Sequence, residues 1–168
     1  STSTGNMLHE DFLRGLSRMD VNLIPMFSGS DPGEDALKAF GAAAASSGAV
    51  GLFHIAGVTP EAPDLETALE GKPPVERIVV MPDMVTDARA RLSTVSAGKR
   101  IDAVAIGSPH LSLIEFDELE RLIAGRRLAV PIYACTGRHA LAGLDKANRR
   151  AALEKLGVIV VADTCVVV

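Results

Sequence analysis

Residues 101–139 read IDAVAIGSPHLSLIEFDELERLIAGRRLAVPIYACTGRH, and this stretch decides the fold. A short apolar run, Ile101–Ile106, is followed by an amphipathic segment, Leu113–Ala124, and then by a second apolar run, Leu128–Ala134. In the middle segment Leu113, Phe116, Leu119, Leu122 and Ile123 recur at helical spacing, with Glu115, Glu118 and Arg121 on the other face. Gly125 follows it, where a left-handed C-cap residue is expected. Outward from this unit the pattern repeats. Apolar runs at Val21–Met26, Val50–Ala56, Arg77–Met81 and Val158–Ala162 alternate with helical stretches at Asn6–Met19, Asp35–Ser47, Leu65–Glu70, Met84–Ser96 and Ala140–Leu156. Continuous apolar runs suit strands buried on both faces. The alternation therefore predicts an α/β fold, a mostly parallel sheet of about five to six strands with helices on both faces.

The chain has 168 residues, 48% of them hydrophobic, which fits one α/β domain over residues 1–168 and excludes disorder. The net charge of −4, with no basic cluster interleaved with aromatics, argues against a nucleic-acid partner. No run approaches the ~20 apolar residues of a membrane span. Ser1-Thr2-Ser3-Thr4-Gly5 lacks the positive region and apolar core of a signal peptide. Two cysteines thirty positions apart make a poor disulfide framework, so reduced thiols and a cytoplasmic setting are expected. The Ser/Thr-rich start and the blunt Val166-Val167-Val168 end are read as cut ends of a longer chain, with Ser1–Gly5 a laboratory remnant.

In an open α/β sheet, ligands bind beyond the carboxyl ends of the strands. The apolar runs are followed there by His54, by Gly107-Ser108-Pro109-His110-Leu111-Ser112, by Cys135-Thr136-Gly137-Arg138-His139, and by Asp163-Thr164-Cys165. Three of the four histidines and both cysteines thus fall on one expected rim. Each has a plain structural reading beside the functional one. Cysteine packs well in cores, and no Cys-x-x-Cys or His-x₃-His spacing marks a metal. Ser112 with Glu115 fits a capping box, which leaves His110 unexplained. Thr136-Gly137-Arg138 opens a helix, where backbone N–H groups and an arginine favour an anion; the other reading is a solvated loop. His54 lies on its strand and reads as a core histidine satisfied by hydrogen bonds. No Walker-type lysine and no Gly-x-Gly-x-x-Gly string supports a nucleotide.

Ser46-Ser47-Gly48-Ala49-Val50, Phe53-His54 and Gly57-Val58-Thr59-Pro60-Glu61-Ala62 resemble the aconitase X family. So do Gly107-Ser108-Pro109-His110-Leu111-Ser112 with Glu115, and Ala162-Asp163-Thr164-Cys165. The resemblance runs from about Asp35 to the last residue and has no counterpart for Ser1–Arg18. It implies a later portion of the catalytic part of a hydro-lyase that dehydrates a small hydroxy acid at an iron or iron–sulfur centre. It also implies two partners, the remainder of the catalytic chain and a small swivelling part. On that basis Cys165 and Cys135 are the metal candidates and His110 and Ser108 the catalytic ones. Thr136, Gly137 and Arg138 are the carboxylate-binding candidates. Many relatives carry cysteine where this chain has Ser108, so Cys135 is expected to supply the missing thiolate. Serine at 108 with cysteine at 135 resembles the cis-3-hydroxy-L-proline dehydratase branch. A rival reading is a non-catalytic assembly domain, in which a homodimer buries the Val166–Val168 edge. A thiol hydrolase built on Cys135 and His139 lacks a third orienting group.

Overall fold

The computed structural model describes residues 26–29, 32–48, 50–92, 94 and 98–166. The expected helix Asn6–Met19 and nearly all of the expected strand Val21–Met26 lie outside them. Where the sequence reading takes residues 1–168 as one domain, the chain divides into two compact units, Ser1–Ser96 and Ala97–Val168. The strands divide likewise, into a two-stranded and a three-stranded sheet in which every described pairing is parallel. The fold is thus α/β. Among the described residues no helix is long and apolar enough to cross a membrane.

In the first unit, β1 (Met26–Phe27) pairs with β2 (His54–Ile55), and α1 (Glu34–Gly48) lies between them in sequence. Phe40 and Ala44 of α1 are buried against Phe27, Val50 and Phe53. The rings of Phe40 and Phe53 meet edge-on at 4.4 Å and those of Phe27 and Phe40 at 4.8 Å. A short helix, α2 (Leu65–Ala68), starts at Asp64, whose carboxylate accepts from the Thr67 amide at 2.6 Å. A third helix, α3 (Pro82–Leu92), begins with proline at its first position, where the missing N–H costs nothing. Among the described residues the expected strand Arg77–Met81 joins no ladder, and it is exposed throughout.

The second unit runs β3 (Val104–Leu111), α4 (Leu113–Ile123), β4 (Ile132–Thr136), α5 (Arg138–Lys146), α6 (Arg149–Leu156), β5 (Val158–Ala162). The sheet order is β3-β4-β5. The Ser112/Glu115 capping box forms: Ser112 Oγ accepts from the Glu115 amide at 3.1 Å, and Glu115 Oε2 accepts from the Ser112 amide at 2.8 Å. The single helix expected over Ala140–Leu156 is two, because Asn148 adopts the left-handed conformation at φ 55° and turns the chain. Asparagine tolerates that region better than most residues.

Helices α4, α5 and α6 all feed one core. Phe116, Ile123, Leu144 and Leu153 pack with Ala134, Val158 and Val160. Register pairs Ile106 with Ala134 and Ala134 with Val160, so these share a face; Ala105, Tyr133 and Ile159 share the other and are exposed. Helices on both faces of this sheet were expected. The observed arrangement follows from topology: strands laid down in sequence order through right-handed crossovers place successive helices on the same side.

At the carboxyl end of β3 the register jumps. Ile106 pairs with Ala134 and Leu111 with Thr136, so residues 107–110 bulge away from the ladder. Gly107 makes this possible. Its φ is +113°, and a Cβ there would stand 2.4 Å from the Cys135 carbonyl oxygen. Gly107→Ala combines a left-handed backbone cost with overpacking, and is expected to lower the unfolding free energy by about 2–5 kcal/mol. Urea denaturation read by circular dichroism checks this; a loss within experimental error would show that the bulge does not rest on Gly107.

Candidate active-site rim

The carboxyl ends of β3, β4 and β5 meet at Thr136. This residue is fully buried. Its hydroxyl donates to the Leu111 carbonyl at 2.6 Å, and its own carbonyl accepts from the Asp163 amide at 2.9 Å. Placed as a substrate-binding candidate by sequence, its hydroxyl instead faces the neighbouring strand and holds the rim together.

Around Thr136 the bulge after β3 meets the loop after β5. The Cys165 thiol donates to Ser108 Oγ at 3.1 Å. His110 Nε2 lies 2.8 Å from the Thr164 carbonyl oxygen. A carbonyl only accepts, so Nε2 carries the hydrogen. A Cβ built on Gly137 would stand 3.8 Å from Nδ1 of the same ring, which places His110 beside the N-terminus of α5. Gly137 is the N-cap there and offers no side-chain cap to the first N–H groups.

Arg138, the first residue of α5, is exposed and its Nε forms an ion pair with Asp163. Asp163 has φ 56°, a left-handed conformation that aspartate tolerates. The Asp163-Thr164-Cys165 string alone gives Asp163 no role. The available signal was a carboxylate directly after a buried strand, opposite an arginine that opens a helix.

The structure therefore brings Ser108, His110, Gly137, Arg138 and Cys165 to one rim. Cys135 is buried at the end of β4, with its backbone and Cβ against Gly107. His139 is exposed on α5. His54 departs from expectation. Its Nδ1 is buried and has no hydrogen-bond partner among the described residues. Nearby backbone carbonyls are already engaged: Ile55 by the Val58 and Thr59 amides, and Phe27 by that of Ala56.

Among the described residues no three His, Cys, Asp or Glu side chains converge as a complete metal cage. The Cys165 thiol, beside the Ser108 hydroxyl, is a donor of the kind an iron site uses. Neither cysteine forms a disulfide among the described residues, and a soft thiolate suits iron.

Comparison with known proteins agrees with this division into two units. The model of the aconitase X second domain matches residues 17–90 and that of the third domain matches residues 101–168. These ranges fall within the two structural units. Cis-3-hydroxy-L-proline dehydratase of Pseudomonas aeruginosa is 44% identical, over 80% of this chain and 23% of that protein. The protein of the same name from Hypocrea jecorina is 34% identical, over 89% and 26%. The phosphomevalonate dehydratase large subunit of Methanosarcina mazei is 35% identical, over 88% and 34%. The crystal structure of Thermococcus kodakaraensis aconitase X in its holo-form superposes with a TM-score of 0.75 at 24% identity, over 94% of this chain and 40% of that one, and so shares the fold. The chain spans about a quarter to a third of the length of these curated relatives. Through both of its units, this chain belongs to the aconitase X family.

Proposed function

We propose that this chain carries one side of the active site of a hydro-lyase that removes water from a small hydroxy acid. The carrying observation is the convergence of Ser108, His110, Arg138, Asp163 and Cys165 on one rim. The higher identity to the Pseudomonas protein than to the phosphomevalonate relatives supports cis-3-hydroxy-L-proline as the substrate. Free thiols fit a reducing cytoplasmic setting. The remaining catalytic parts come from further aconitase X sequence and a small swivelling partner; the Methanosarcina relative is named as a large subunit, which supports such a partner.

In this reading Arg138 and the first N–H groups of α5 hold the substrate carboxylate. Asp163 engages Nε, and the Nη groups at the other end of the guanidinium can grip a carboxylate with two parallel hydrogen bonds. His110 passes a ring proton to the hydroxyl as the carbon–oxygen bond breaks, so that water leaves. The Thr164 carbonyl keeps the ring in the orientation this needs. The proton on the carbon beside the carboxylate goes to a base that we place outside this rim. Cys165, with Cys135 on the neighbouring strand, would hold an iron centre. Such a centre supplies Lewis acidity at the leaving oxygen.

Two measurements on the complete enzyme test this. Cys165→Ala is expected to reduce iron and acid-labile sulfide to background after anaerobic reconstitution, with loss of visible absorption; full iron retention would remove Cys165 from the site. Asp163→Asn keeps a residue that tolerates the left-handed backbone and deletes the charge that holds Arg138. It is expected to raise KM several-fold with kcat little changed, while Arg138→Ala raises KM by about 10- to 100-fold, the value of a charged hydrogen bond. Equal KM values in all three proteins would exclude Arg138 as the carboxylate anchor.

A further inference from the structure

The largest departure between sequence and structure lies at residues 71–84, every one of which is exposed. Val75 is 83% and Val79 66% accessible, and Ile78, Val80, Met81 and Met84 are exposed with them. Singly exposed apolar residues are ordinary, but a contiguous patch of this kind marks a contact surface. The sequence says what form the contact takes. Ile78-Val79-Val80-Met81 is β-branched and continuously apolar, the composition of a strand buried on both faces of a parallel sheet. Pro73 and Pro74 before it and Pro82 after it limit a ladder to residues 75–81, because proline has no N–H to donate. Pro82 also opens α3 directly, so the segment is the strand half of a strand–helix unit whose helix is formed. Among the described residues it enters no ladder.

We infer that residues 75–81 are an interior strand whose neighbour is a strand of aconitase X sequence outside residues 1–168. Three observations select that occupant. The matching family model is a second domain, which presupposes another. The curated relatives are three to four times as long as the region they share with this chain. A strand apolar on consecutive residues must also be covered above and below, which the sheet interior of a larger body supplies and a single added edge does not. The inference rests on family membership and not on the proposed reaction.

Amide hydrogen exchange tests it, on the 168-residue chain and on the full-length polypeptide that carries this sequence. Residues 77–81 are expected to exchange freely in the chain alone and about 100-fold more slowly at full length, as ladder amides do. Val79→Pro is expected to abolish that protection at full length, and Val79→Thr, which keeps the N–H and the branching, to preserve it. Protection already present in the dilute chain alone would mean that the strand packs on the chain's own residues. Protection that grows with concentration of the chain alone would mean a second copy. Free exchange at full length would mean no neighbour at all. Each of these three outcomes overturns the inference, whether or not Val79→Pro folds.

Discussion

One buried threonine sets the geometry on which the rim depends. Thr136 ends the central strand of the second unit, and its hydroxyl and carbonyl together fix the exits of both flanking strands. Buried polar groups left without partners are costly, so these two bonds place the Leu111 carbonyl and the Asp163 amide within narrow limits. The candidate site residues hang from those two points. The bulge carrying Ser108 and His110 leaves the sheet just before Leu111, and the loop carrying Thr164 and Cys165 starts at Asp163. Their mutual contacts then close a ring around the start of α5.

The second unit was legible in the sequence to a high degree. Its three strands, the Ser112 capping box and the cluster of polar residues past the strand ends all follow from periodicity, local capping chemistry and the parallel-sheet rule. Three features were not legible, each for a physical reason. Periodicity does not distinguish a strand buried on both faces from one whose second face is bare, since Val158–Ala162 is apolar throughout while Ile159 is exposed. Nor does it mark the break at Asn148, where a single backbone dihedral divides an otherwise helical stretch. The division into two units depends on which strands pair. A strong strand signal at Arg77–Met81 gives no account of where its partner lies.

The site was legible as a set of residues but not as a set of bonds. Strand ends announced Ser108, His110, Arg138 and Cys165. They did not announce that Asp163 would engage Arg138 or that a backbone carbonyl would fix the histidine tautomer. Such pairings arise between segments 25 or more positions apart, once the strands are in register. The first unit shows the converse. His54 reads as a satisfied core residue, yet among the described residues its buried Nδ1 is without a partner, the carbonyls of Ile55 and Phe27 being engaged by backbone amides.

The bare face of the three-stranded sheet has an optical consequence. The chain contains one tyrosine and no tryptophan, and that tyrosine, Tyr133, stands exposed as the second residue of the central strand, on the side away from the helices. All near-ultraviolet phenolic absorption and emission of this polypeptide therefore originates at a single known point on its uncovered surface. Whatever comes to rest on that face changes the solvent around one fluorophore, so the sheet carries its own label without any chemical modification.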